Sequence, residues 1–272
     1  MSDMGSAVRV PHEAGHRAGQ TMTGLPRAVL LDLDDTILDD SGAAARCWPE
    51  ACAAHHSELG TLDPAALLGT IERVRRWYWA DAERHRVGRL DLDAARAEVA
   101  AMALSELGAH NPSLATRIAT TYGALRDREM RPFAGSIETV IWLRESGCRL
   151  ALVTNGAAAA QQRKIDRFNL SPLFDLIMIE GELGFGKPDP RVYRRALDGL
   201  GVAPADAWMI GDNLEWDVAP PQTLGIYSIW VDLQGTGLPV GHDARPDRIV
   251  RGLAELRPST EAPPLARHRG QP

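Results

Sequence analysis

The stretch LLDLDDTILDD, Leu30 to Asp40, places three carboxylates, Asp32, Asp34 and Asp35, directly behind the apolar run Ala28 to Leu31. A short apolar run that breaks into acids reads as a buried parallel strand whose carboxyl end opens onto a site. Neighbouring carboxylates repel and shift each other's pKa, so such crowding is tolerable where a divalent cation neutralises it.

Further along the chain the same kind of run recurs as CRLALVT (148 to 154), FDLIMIE (174 to 180), AWMIGD (207 to 212) and IYSIWVD (226 to 232). Each follows a segment of helical length: Gly135 to Ser146, Ala157 to Phe168, Pro190 to Leu200 and Leu214 to Leu224. Gly147, Gly201 and Gly225 stand as C-terminal stops. Strands alternating with helices of this length predict an α/β fold, a Rossmann-like doubly wound parallel sheet. In such sheets ligands sit beyond the carboxyl ends of the strands.

Residues 41–131 break the rhythm. They are rich in Ala, Arg, Glu and Leu, offer no strand, and divide at Gly60, Gly88 and Gly108 into about four helices, an all-helical lobe inserted after the first strand. The expected organisation is a core of 26–40 and 132–256, a helical lobe of 41–131, and disordered tails at 1–25 and 257–272, which lack apolar periodicity.

Composition narrows the partners. The net charge of −6 and the mixed spread of charges supply no basic face for nucleic-acid phosphates. Cys47, Cys52 and Cys148 are an odd number without CxxC spacing, which argues against a disulfide framework or a zinc cluster. No stretch approaches the roughly 18 apolar residues of a membrane span, and residues 1–25 hold no apolar h-region. A cytoplasmic protein without nucleic-acid or membrane partners is expected; the sequence leaves its oligomeric state open.

Two motifs mimic known chemistry. HEAGH, His12 to His16, has the metalloprotease pattern but follows Pro11, contains Gly15 and lies in a polar tail. GELGFGKP, Gly181 to Pro188, is one residue short of a nucleotide-binding P-loop. Pro188 stands where Ser or Thr must reach Mg²⁺, and it lacks the backbone N–H that such a loop aims at phosphate. In the helical lobe, WYWA (Trp77 to Ala80) and the pair His55 and His56 read as packing and solvated surface. If the lobe closes over a site, Arg75, Arg76, Trp77 and Trp79 are the first candidates for substrate contact.

The strand ends carry particular residue types: Asp32 and Asp34, then Thr154 in VTNG, then Lys187 after IMIE, then Asp212 in GDNLEWD. Singly, each has a structural explanation as a cap, a buried hydroxyl or a surface charge. Parallel strands present all their carboxyl ends at one edge, so together these residues converge. Of the 30 basic residues only Lys164 and Lys187 are lysine, which singles out Lys187 as a place where a compact ammonium is required. Acids, a hydroxyl and an ammonium around Mg²⁺, which prefers oxygen ligands, are the parts phosphoryl transfer asks for.

With DLDDT, VTNG, GKPDP and GDNLEWD in this order over Ala28 to Leu256, the sequence resembles the haloacid dehalogenase (HAD) superfamily of aspartate-nucleophile hydrolases, in its phosphatase-like branch. The resemblance implies a Rossmann-like core with a helical C1 cap at 41–131. It also implies a Mg²⁺-dependent phosphatase acting on a small phosphorylated metabolite, sugar phosphate-like, through an aspartyl-phosphate. Asp32 would be the nucleophile and Asp34 the proton shuttle. Thr154 and Lys187 would hold phosphoryl oxygens, with backbone N–H groups near Asn155 and Gly156 assisting. Mg²⁺ would take Asp32, the main-chain carbonyl of Asp34, and Asp212, with Asp217 in its first or second shell. Two departures stand out: Asp35, where many members have Gly, and the two prolines of APPQTLG (Ala219 to Gly225).

Asp34 argues against dehalogenation, which needs no second acid, and the absence of lysine from 41–131 argues against phosphonate cleavage through a cap Schiff base. A phosphosugar mutase shares all four motifs. Outside enzymes, a receiver module groups Asp, Thr and Lys similarly but is a single short domain with its Asp on a middle strand, and a HAD-fold binding protein would be expected to have lost Asp32 or Asp34.

Overall fold

The structure is a computed structural model and describes residues 24–258. Strand β1 (Ala28–Leu31) runs through a turn into five helices: α1 (Ser41–Ala54), α2 (Pro64–Ala80), α3 (Ala82–Gly88), α4 (Leu92–Glu106) and α5 (Pro112–Glu129). Then come α6 (Ser136–Glu145), β2 (Arg149–Thr154), α7 (Ala158–Arg167), β3 (Leu176–Ile179), the one-turn α8 (Glu180–Leu183) and α9 (Pro190–Leu200). β4 (Ala207–Gly211), α10 (Ala219–Thr223), β5 (Tyr227–Val231) and β6 (Arg248–Val250) complete the described chain.

All six strands are parallel, in the order β3-β2-β1-β4-β5-β6. This is the expected Rossmann-like sheet. The chain winds outward from β1 to β3, then crosses back to β4, so the switch point for ligand binding lies at the carboxyl ends of β1 and β4. Leu31 is level with Leu152 of β2 and Ile210 of β4, so the residues that follow all three emerge along one edge.

Side chains alternate along a strand with a period of two, and both faces of this sheet are covered. Val29, Leu31, Leu150, Leu152 and Ile229 enter one core cluster, whereas Ala28, Leu30, Ala151, Val153 and Met209 enter the other. Helices α1 to α5 pack around a cluster of their own. Leu67, Ile71, Val74 and Tyr78 form a helical stripe on α2 and meet Val99 and Ala103 of α4 and Ile118 and Tyr122 of α5. Side chains of Asp63, Asp81, Asp91 and Asn111 accept the free N–H groups at the starts of α2 to α5.

Five helices stand where about four were expected. The added break, between α2 and α3, has no glycine: Asp81 takes an extended backbone and its carboxylate accepts Arg84 N–H at 2.9 Å, ending one helix and starting the next. The expected helix Leu214 to Leu224 is two pieces, a π-helical turn at Leu214–Val218 followed by α10. Pro220 and Pro221 occupy the first turn of α10, where a missing N–H costs nothing. FDLIMIE yields only four strand residues because Glu180 already begins α8. β6 was not foreseen, since three residues are too few to show a period.

HEAGH and most of both expected tails lie outside the described residues. Among the described residues, no helix is long and apolar enough to cross a membrane. Cys47, Cys52 and Cys148 are free and buried.

Candidate active site

Beyond β1 and β4 lies a cavity of about 350 Å³, walled by the sheet edge on one side and by the helices of 41–131 on the other. Asp32, Asp34, Thr154, Asn155, Gly156, Lys187 and Asp212 all line it. Asp217, the eighth expected residue, lies immediately behind this wall and is fully buried.

Lys187 is the hub. Its side chain is 1% exposed, and its ammonium donates to Asp32 Oδ1 at 2.6 Å and Asp217 Oδ1 at 2.7 Å. The loop carrying it is clasped by Asn155, whose Oδ1 accepts Lys187 N–H at 2.8 Å while Nδ2 donates to the Lys187 carbonyl at 2.7 Å. Burial would lower the ammonium's pKa, but the Asp217 and Asp32 carboxylates hold it above its ordinary value.

Carboxylate oxygens of Asp32, Asp212 and Asp217 lie within 4.8 Å of one another. Burial, opposed by Lys187 and reinforced by Asp217, pushes Asp32 up to about 7. Burial together with the Asp32 and Asp217 charges pushes Asp212 up to about 9. With all three carboxylates ionised, one ammonium would leave two negative charges unmatched in a buried place, which is why two of the pKa values rise, and the donor set is all oxygen: the arrangement fits Mg²⁺. Gly211 makes it possible, because a Cβ there would fall on the Asp217 carboxylate.

Asp34 stands apart from that cluster. Both of its oxygens accept from Lys164 Nζ at 2.7 Å, and Oδ2 also accepts from Gln161 Nε2 at 2.9 Å. Gln161 Nε2 lies 2.6 Å from Thr154 Oγ1 as well, so one amide ties the second strand end to the first. Lys164 reaches Asp40 at 3.3 Å, and Asp40 in turn pairs with Arg126 of α5. Burial would raise the Asp40 pKa, but Arg126 and Lys164 hold it well below the usual carboxylate range.

Asp35 has φ 56°, the left-handed region where glycine is cost-free and Asp is tolerated. Its carboxylate accepts Asp40 N–H at 3.1 Å and Ser41 N–H at 2.8 Å, fixing the exit into α1. Asp40 sits at the N-cap position of α1, but its side chain makes no capping bond and serves the ion-pair network instead.

The geometry corrects two expectations. The Gly156 N–H was expected to face a phosphoryl group, but it donates to Glu180 Oε2 at 2.9 Å. Glu180 also forms a two-pronged pair with Arg89, at 2.8 and 2.6 Å, joining the helical segment to the β2 loop. Of the four candidates on α2, Arg75 and Trp79 reach the cavity and Arg76 and Trp77 do not; Trp77 is 49% exposed beneath Arg84. His85 of α3 closes one side, with its ring 5.3 Å from Trp79 and 5.1 Å from Trp216. Burial and then Arg89 lower its pKa.

Sequence reading passed over Gln161, Lys164, Glu180, Arg89 and the role of Asp40. For Lys164 a signal existed: it is the other lysine of an arginine-writing chain, and it shares a face of α7 with Gln161 three residues earlier.

A family model described as a haloacid dehalogenase-like hydrolase matches residues 26–225. The phosphoserine phosphatase of Thermus thermophilus is 34% identical over 262 residues, covering 85% of this chain and 97% of that protein. A glyceraldehyde 3-phosphate phosphatase of Methanopyrus kandleri is 29% identical over 206 residues, covering 75% and 82%. Among solved structures, the magnesium-bound HAD-hydrolase YfnB of Bacillus subtilis superposes with a TM-score of 0.67 at 21% identity, covering 86% of this chain and 97% of that one.

Proposed function

Because the chain belongs to the haloacid dehalogenase-like hydrolases, we propose that it is a Mg²⁺-dependent phosphatase that releases phosphate from a small, sugar phosphate-like monoester through an aspartyl-phosphate on Asp32. The observation that carries this reading is the triangle of Asp32, Asp212 and Asp217 oxygens within 4.8 Å, with the Lys187 ammonium bonded to two of the three.

Asp32 Oδ attacks phosphorus in line, its P–O bond forming as the bond to the leaving oxygen breaks. Asp34 gives the leaving oxygen its proton and afterwards takes one from the water that cleaves the acyl phosphate. Lys164 and Gln161 orient the Asp34 carboxylate for both tasks. Lys187 and the Thr154 hydroxyl meet the equatorial phosphoryl oxygens, where negative charge spreads in the transition state. Asp32, Asp212 and the Asp34 carbonyl would hold Mg²⁺, with Asp217 beside or behind them; when bound, the ion neutralises the cluster and the phosphoryl oxygens.

Residues 41–131 would act as a cap on the core of 26–40 and 132–256. The cavity lies near the small end of the roughly 300 to 1,000 Å³ typical of ligand sites, which suits a small metabolite. The two phosphatase relatives act by name on a phosphorylated amino acid and a triose phosphate, alike in their monoester and unlike at the other end.

The test is phosphate release from a panel of phosphorylated metabolites, with and without Mg²⁺, by the native protein and by Asp32→Asn. Metal-dependent release absent from the variant is expected. Release that persists in Asp32→Asn would remove the aspartyl-phosphate, and turnover that requires a bisphosphate activator would transfer the site to a mutase.

A further inference from the structure

Two prolines, Pro220 and Pro221, stand just beyond the turn that carries Asp217. That turn, Leu214–Val218, is π-helical and runs straight into α10. π-Helical turns are rare and gather at functional sites. In this one the Ala219 N–H donates to the Leu214 carbonyl, five residues back. The Trp216 carbonyl looks forward in the same way, to residue 220 in an α-helical turn or residue 221 in a π-helical one. Both are proline and have no N–H. The pair costs α10 nothing, but it deprives the turn before it of a donor.

The donor comes from another element. Tyr193 of α9 is 0% exposed, its ring lies in the apolar cluster on one face of the sheet, and its hydroxyl donates to the Trp216 carbonyl. Buried polar groups are almost always paired, and here the hydroxyl and the carbonyl answer each other. The residue after Trp216 is Asp217, gripped at three points. Its N–H donates to the Asn213 carbonyl at 2.7 Å, its Oδ2 accepts the Asn213 N–H at 3.1 Å, and its Oδ1 accepts the Lys187 ammonium at 2.7 Å. Lys187 and Tyr193 belong to one segment, the loop before α9 and its first turn. One holds the π-helical turn by a carboxylate and the other by the neighbouring carbonyl.

We propose that Tyr193 is a positioning residue for the metal site: its hydroxyl stands in for the N–H that Pro220 and Pro221 lack, fixes the π-helical turn, and so keeps Asp217 aimed at Lys187 and at the place where Asp32 and Asp212 would hold Mg²⁺. This rests on the phosphatase reading above. Without the hydroxyl the Trp216 carbonyl loses its partner, and the turn relieves that by shifting. The shift carries Asp217 away from Lys187 and from the Asp32 and Asp212 oxygens that lie within 4.8 Å of its own. Groups that orient metal ligands from behind are worth roughly ten- to a hundredfold in metal affinity.

The experiment is Mg²⁺ titration calorimetry on the native protein, Tyr193→Phe, Pro220→Ala/Pro221→Ala, and the triple variant. Phenylalanine keeps the ring in its cluster and removes only the hydroxyl, while the alanines supply the missing N–H groups. Tyr193→Phe is expected to raise the Kd for Mg²⁺ about tenfold. The Mg²⁺ concentration for half-maximal phosphate release should move in step, and kcat at saturating Mg²⁺ should fall much less. The two alanines alone should leave the Kd within about twofold, and added to Tyr193→Phe they should recover most of the tenfold loss. A folded Tyr193→Phe with the native Kd, or a triple variant no better than Tyr193→Phe, overturns the proposal. If Tyr193→Phe does not fold by itself, a folded, Mg²⁺-binding triple variant supports the proposal and an unfolded one overturns it. Hydrolysis of p-nitrophenyl phosphate reports the catalytic reading separately. If the native protein releases no phosphate while the four Mg²⁺ affinities fall in the expected order, the phosphatase reading fails and the role of Tyr193 stands; equal affinities, or none, remove that role whatever the catalysis.

Discussion

The two walls of the cavity are opposite in charge and in manner of construction. The sheet edge presents Asp32, Asp34, Asp35 and Asp212, bonded inward to Lys187, Lys164 and backbone N–H groups. The helical wall presents arginines: Arg89 and Arg126 pair with Glu180 and Asp40 of the core, and Arg75 and Arg96 with Glu72 and Asp93 of their own helices. A wall whose polar groups hold one another in place is preorganised.

The most direct way to break the comparison is to disarm the sheet wall alone. Asp32→Asn should lower kcat by at least about a thousandfold while the melting temperature stays within a few degrees, since the amide keeps the shape. A folded variant with more than a tenth of native kcat would show that the acidic wall is not the reacting one.

Asp40 is the hinge between the walls, and its loss should appear as stability. Asp40→Ala leaves the buried Arg126 and Lys164 without their half-buried partner and should cost about 3 kcal/mol in urea unfolding. The native carboxyl titrates below its unfolded value of about 3.9. Its contribution is therefore present above that pH and fades as the pH falls through the lower, folded value. The variant should accordingly lose less stability than the native protein on acidification below about pH 4, and parallel curves would show that Asp40 is not coupled to the arginine wall.

Gly211→Ala sharpens the account of the acidic wall. Its Cβ displaces Asp217 and through it Lys187, and activity should fall about a hundredfold with weaker Mg²⁺ activation. Unchanged kinetics would mean that Asp217 can move without consequence. The smallest effect is expected from Glu180→Ala, which releases Arg89 and the Gly156 N–H together. About a tenfold rise in KM with kcat within a factor of three would mark the Arg89 pair as a fastener of the two walls. A fall in kcat alone would place Glu180 with the chemistry instead.

The acidic wall was largely legible in the sequence. Asp32, Thr154, Lys187 and Asp212 each follow an apolar run, and parallel strands oblige such residues to meet, so alternation of strand and helix was enough to assemble them. The arginine wall was not legible. Arg75 and Arg76 are adjacent and chemically identical, yet one lines the cavity and the other faces solvent, and only the rotation of α2 against α4 and α5 distinguishes them. Gln161 and Glu180 escaped notice because their partners, Asp34 and Arg89, lie 127 and 91 residues away in the chain.

Residue order and periodicity by themselves determined the parallel sheet, the helical insertion and the convergence of acids and lysine at one edge, because strand and helix periods are local properties of the chain. Tertiary packing alone decided that the Gly156 N–H goes to Glu180, that Lys164 holds Asp34, and that α2 turns Arg75 and Trp79 inward. Those are pairings between distant segments, and a pairing exists only once both partners have been brought to the same place.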